Sequence, residues 1–165
     1  MKTTFVVPAL LFLAVSAVPQ ATRAQNPVSS ALRDILPGRQ RNTIAAAEAM
    51  PADKFDYKPT ADQMTFGHLV AHMVEANNLL CSKAAGVSAP QGTEVKETDT
   101  KDKLVAALRA SFNFCSETLA KMDDSRLGET TEGFGGKQVT RAWFSLVLAR
   151  SYCTTLRNTI MKQAI

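Results

Sequence analysis

The residues best able to do chemistry are His68, His72 and Glu75, because the two histidines are the only ones in the chain and stand four positions apart. On a helix that spacing places them one turn apart, with Glu75 about one turn further on. Imidazole and carboxylate at that reach are suitable ligands for a divalent metal. The apolar stripe of the same segment runs through Phe66, Leu69, Val70, Met73, Asn77, Leu80 and Cys81. At about 100° per residue, His68 and Glu75 lie well away from its centre, as solvated surface residues do. His72 falls at the margin of the stripe, from where it can look inward.

A metal on His72 needs two or three further donors from neighbouring elements. From Gly133 to Ile165 there is no Asp, Glu or His. Only Tyr152 and Cys153 remain there, and with one histidine they make a poor set. A helical wheel instead aligns Trp143, Leu146, Val147, Arg150, Thr154, Arg157 and Met161, so that two arginines share a face with bulky apolar groups. Among the cysteines, Cys81 and Cys115 each fall on or beside the apolar stripe of consecutive helices, and antiparallel packing would bring them within bridging distance. The alternative is a pair of buried free thiols acting as small hydrophobes. Cys153 is the odd one, with no base identified beside it. No phosphate loop, dinucleotide fingerprint or nucleophile elbow occurs, and nothing orders Ser, His and acid residues into a triad.

The elements that must position these residues are helical. One helix is expected from about Ser29 to Met50, capped by Ser29 or Ser30 and kinked or interrupted at Pro37 and Gly38. A turn-rich loop follows from Pro51 to Gln63. The second helix starts after Thr65 and stops at Gly86, the third opens at Asp99 or Thr100, and the last follows Val139 and Thr140 and reaches almost to Ile165. Leu104, Leu108, Phe112, Cys115, Leu119 and Met122 give the third the cleanest amphipathic pattern. A glycine-rich turn at Gly133, Gly135 and Gly136 precedes the last, and no segment reads as a strand. The fold class is all-α, a four-helix bundle whose longer loops permit a connection between non-adjacent helices.

Ahead of this domain, Lys2 and the apolar run from Phe5 to Val18 are too short for a membrane anchor and have the make-up of a signal peptide. Thr22 and Ala24 are the small residues a signal peptidase accepts, so cleavage is expected between Ala24 and Gln25, giving a secreted or periplasmic protein with no membrane attachment. Removing those 24 residues from 165 leaves 141, one domain covering residues 25–165. Its balance of 17 basic against 15 acidic residues, with both signs interspersed, excludes nucleic acid as a leading partner. Export also places the three cysteines where a disulfide persists, one pair and one spare being the simplest arrangement.

The stretch from Ala45 to Cys81, AAAEAMPADKFDYKPTADQMTFGHLVAHMVEANNLLC, together with Phe112 to Cys115 and the VTRA at Val139 to Ala142, resembles the DinB-like superfamily of four-helix-bundle proteins. The resemblance extends over roughly the whole mature chain and is most specific in the first block. It implies a DinB-like bundle, and its secreted branch carries the two cysteines found at Cys81 and Cys115. Metal-binding members use one histidine on the second helix and two, four apart, on the last. His72 falls at the first position, while the other two land near Arg150 and Thr154, neither of them a ligand. The resemblance thus implies a degenerate metal site and a binding or structural role, without a cofactor. Arg150, and Thr154 beside it, would then face a small anionic ligand. The enzymatic alternative is a metal- or thiol-dependent transferase or hydrolase holding Zn or Ni on His72. Homodimerisation is a further expectation for such a bundle.

Overall fold

The computed structural model describes residues 26–159. The expected signal peptide and its cleavage point lie outside the described residues. Four helices carry the fold: α1 (Pro27–Ala49), α2 (Phe66–Ala85), α3 (Lys101–Ala120) and α4 (Arg141–Thr159). Among the described residues none of them is long and apolar enough to cross a membrane.

The boundaries of α2 and α3 follow from local chemistry. Thr65 accepts a hydrogen bond from the His68 amide, and Gly86 closes α2 in the left-handed conformation, with φ 66°. Thr100 caps α3 through the Lys103 amide. The expected third-helix stripe is buried throughout: Leu104, Leu108, Phe112, Cys115, Leu119 and, just past the helix end, Met122. It meets Val70, Val74, Leu80 and Cys81 of α2, Leu32 and Leu36 of α1, and Phe144 and Leu148 of α4 in one continuous core.

Three local expectations are corrected. First, α1 runs unbroken through Pro37. Pro37 is exposed on the outer side of the helix. There a missing amide can be tolerated while Leu32, Leu36, Ile44 and Ala47 bury the other side. Second, α1 is capped neither by Ser29 nor by Ser30. Its Ncap is Asn26, and the free amides of Val28 and Ser29 donate to the Asp124 carboxylate at 2.8 and 2.9 Å. Third, the glycine-rich turn sits in a short antiparallel hairpin, β1 (Thr130–Glu132) with β2 (Gln138–Thr140), Thr131 facing Val139. Three-residue strands are too short to leave a period-two signal in the sequence.

Burial pushes the Asp124 carboxyl up, but the Ser29 and Val28 amides and nearby Arg33 outweigh it and hold it below its ordinary value. A carboxylate depressed on folding stabilises the protein above its unfolded value and loses that contribution as pH falls through the folded one. Asp124→Ala is therefore expected to cost about 1 kcal/mol at neutral pH, as lost caps do. The deficit against the parent protein should close below about pH 4 in thermal melts; a deficit independent of pH would show that the cap is not ionic.

The helix directions decide which residues can meet. Contacts run α2 with α3 and α4, and α1 with α3 and α4, leaving α1 and α2 on one diagonal. Arg33 donates to the Leu119 and Met122 carbonyls, Gln40 meets Asn113 and Glu48 pairs with Arg109, so α1 and α3 are antiparallel. In contrast, Asn77 donates to Ser111 and Cys81 joins Cys115, both at a separation of 34. A constant separation means that α2 and α3 run parallel, correcting the antiparallel expectation. The connection, residues 86–100, goes back along α2, and Glu97 comes level with Gly67 at its start. A helix of α2's length is about 30 Å long, and fifteen extended residues reach about 50 Å. A Cβ on Gly67 would lie 2.5 Å from the Glu97 carbonyl oxygen, so this close approach needs glycine.

Candidate functional site

His68, His72 and Glu75 occupy successive turns of α2, and all three are exposed. The returning segment adds Glu97 opposite them, and together they line a shallow groove of about 260 Å³ floored by Ala71 and Val95. His68 Nδ1 meets Glu97 Oε2 at 2.6 Å, tying the segment to the start of α2. Both partners are about half exposed, so this pair contributes little stability. His72 does not look into the bundle: the core positions of α2 are Phe66, Val70, Val74, Asn77 and Cys81. Among the described residues, no group of three or more His, Cys, Asp or Glu side chains is arranged to hold a metal ion. Glu97 was missed in the sequence because nothing local shows that a loop 29 residues away returns to His68.

The opposing element, α4, is rotated relative to the sequence expectation. Among its described side chains the buried ones are Arg141, Phe144, Ser145 and Leu148, whereas Leu146 is 67% exposed and Trp143 38% exposed. Trp143 rests against Phe134 of the hairpin, ring centres 5.8 Å apart, and edge-on to Phe144 at 5.1 Å. The hairpin thus covers an aromatic ring that a simple wheel assigns to the core. Arg150 is exposed. The side chains of Tyr152, Cys153, Thr154 and Arg157 lie outside the described residues, as does Met161.

The arginine that is buried is Arg141, 4% exposed. It donates through Nε to the Ala84 carbonyl at 3.0 Å and through a terminal nitrogen to Glu129 at 3.1 Å. A cation at the end of α2 also complements the helix dipole. Glu129 receives Arg126 as well, and this hydrogen bond, with Arg141 adding to it, holds the carboxyl below its ordinary range. These groups and Lys83 line a second, more polar cavity of about 490 Å³. The sequence signal for Arg141 is its place in VTRA at the start of the last helix, two residues ahead of Trp143 and so about 200° round the helix from the expected stripe.

An up-down-down-up bundle with a long return connection between its second and third helices is the frame in which these groups sit. The sequence model of the DinB superfamily matches residues 36–150.

This chain belongs to the DinB superfamily. The match extends from the middle of α1 to Arg150 and so takes in the hairpin as well as the α2 groove. A comparison with curated proteins returns no match. In DinB terms, His72 stands on the expected helix, but the set required for three-histidine ligation is not available. The facing helix has no imidazole or carboxylate anywhere along it. Its buried positions up to Leu148 are taken by two apolar side chains, a serine and an arginine already engaged with Ala84 and Glu129. The residues of this DinB protein do not fit a three-histidine metal site.

Proposed function

We propose that this DinB-superfamily protein is exported and serves as a binding domain, without metal-dependent catalysis. The observation that carries the reading is the composition of α4. A metal held by His72 would be completed from that helix, and α4 supplies neither imidazole nor carboxylate. What supports export is the short apolar run from Phe5 to Val18, followed by Thr22 and Ala24. The bonded Cys81 and Cys115 pair is in keeping with an oxidising compartment. One turn from that pair, the buried amide of Asn77 donates to Ser111 across the same interface. A rigid, oxidised scaffold of this kind suits recognition of a ligand.

Elemental analysis of protein purified without chelators tests the reading. Zinc and nickel are expected well below one equivalent per chain. One tightly held equivalent, lost on His72→Ala substitution, would overturn it in favour of a metal-dependent transferase or hydrolase.

A further inference from the structure

The polar cavity of about 490 Å³ lies at the opposite end of α2 from His68 and His72. It is lined by Lys83 of α2, Ser88 of the returning segment, Arg126, Glu129, Thr131 of β1 and Arg141 of α4. Three cations thus face one carboxylate. Asp123, the other acid close to these arginines, is engaged with the Ser125 amide and hydroxyl and does not line the cavity. Lys83 forms no ion pair among the described residues.

The one carboxylate is also shared. Glu129 receives Arg126 on Oε1 at 2.6 Å and Arg141 on Oε2 at 3.1 Å, and is itself about half exposed. The Arg141 guanidinium, with its side chain 5% exposed, therefore has only part of one water-screened countercharge. Its Nε and Nη1 are committed to Ala84 and Glu129, whereas Nη2 donates to no protein group. Among the described residues Asn78 Oδ1 is the one side-chain polar atom both fully buried and unmatched, so Nη2 keeps access to solvent, on the cavity whose wall Arg141 forms. A buried, under-compensated cation with an open donor on a polar cavity favours an anion there. The carbonyl end of α2 works against an anion, but its Ser82 and Ala84 carbonyls are taken up by the Gly86 and Val87 amides and by Arg141.

We propose that this cavity, between the end of α2, the hairpin and the start of α4, binds a small molecule through a phosphate group. Arg141 Nη2 and Lys83 supply charged donors from two helices, and Ser88 and Thr131 add hydroxyls from the segments between them. The edge of Arg141 that would grip a planar carboxylate side by side, Nε with a terminal nitrogen, is already used within the protein. What remains is a set of separate donors from several elements, which suits a tetrahedral anion with several oxygens better than a flat one. Three cations against one acid also match a group that carries more than one negative charge. The assignment rests on the reading of this chain as a binding domain and gives it a ligand class. It uses neither His72 nor a metal.

Nitrogen-15 NMR titration of the oxidised mature chain at low salt, with inorganic phosphate and separately with acetate, tests the assignment. Phosphate is expected to give saturable shifts confined to the amides of residues 86–89 and 130–131 and to the Arg141 side chain, with acetate weaker by about 3-fold or more. Lys83→Gln should weaken phosphate binding about 10-fold, as loss of one hydrogen bond to a charged group does. Lys54→Gln, at an exposed position outside the cavity, should change it less than about 2-fold. Arg141→Met should abolish it; should that variant fail to fold, the Lys83 and Lys54 pair decides the question. No saturable binding, acetate as tight as phosphate, or equal effects of Lys83→Gln and Lys54→Gln would each overturn the proposal. A tightly held metal equivalent with phosphate binding intact would overturn the metal-free reading and uphold this site.

Discussion

Replacing Cys81 and Cys115 together by alanine is expected to lower the stability of the oxidised protein by about 3 to 4 kcal/mol, the chain-entropy value for a closed loop of this size. The loop has a sequence separation of 34, and the Cα atoms it joins are 5.3 Å apart. In a domain of this length that corresponds to a fall in melting temperature of roughly 10 °C. The effect falls mainly on the unfolded chain, because the link keeps the ends of α2 and α3 together after the core is lost. It also fixes the register of two parallel helices whose connection is long and largely on the surface. Both cysteines are fully buried. A thiol reductant should therefore act at neutral pH only as fast as the helices separate. Calorimetry of the parent and the double variant, each with and without reductant, checks this. Reductant should lower the melting temperature of the parent alone. Equal melting temperatures of parent and variant under oxidising conditions would remove the disulfide from the account of stability. In denaturant without reductant, one free thiol per chain is expected, from Cys153.

The second large effect concerns Arg141. Arg141→Met keeps an apolar stem of similar length and removes the guanidinium. An expected cost of about 2 to 3 kcal/mol follows from losing a buried charge-assisted hydrogen bond to Ala84. The lost bond to half-exposed Glu129 adds little. Lysine should not restore the loss, since a single ammonium cannot reach both the carbonyl at the end of α2 and the Glu129 carboxylate as the planar fork does. Gly86 belongs to the same joint. Its φ is positive, and a Cβ there would lie 2.7 Å from Arg141 Cζ, so the guanidinium fills the space that the missing side chain leaves. The same substitution at exposed Arg150 should cost about 1 kcal/mol or less, as loss of an exposed charged interaction does. Urea unfolding of the two variants compares them directly. Equal losses at the two positions would show that Arg141 is not the residue joining α2 to α4.

The contrast between these arginines shows where sequence reasoning stopped. Arg150 attracted attention because a helical wheel placed it with Trp143, Leu146 and Val147. That assumed the largest apolar residues mark the buried side. In this protein the hairpin provides Phe134 as a cover for Trp143, and Leu146 is left in solvent. The wheel gives the spacing along a helix; the phase depends on what packs against it. The same limit applies to His72, whose marginal place on the α2 stripe resolved to an exposed one once the position of α3 was known.

Determined by the sequence alone were the all-α class, the limits of α2, the start of α3, the inward face of α3 and the DinB relationship. Each rests on signals within one helix or its caps: Thr65 and Thr100 as N-caps, Gly86 as the stop, and apolar residues repeating every three or four positions. The absence of carboxylate and imidazole from α4 is also a property of the chain, legible without coordinates. Only the tertiary structure decided that α2 and α3 are parallel, that Asp124 caps α1 from nearly a hundred residues away, that Arg141 joins α2 to α4, and that Glu97 returns to His68. All four depend on where a long connection returns. The direction of such a connection is set by the summed burial of several helices at once, which no local stretch of sequence contains.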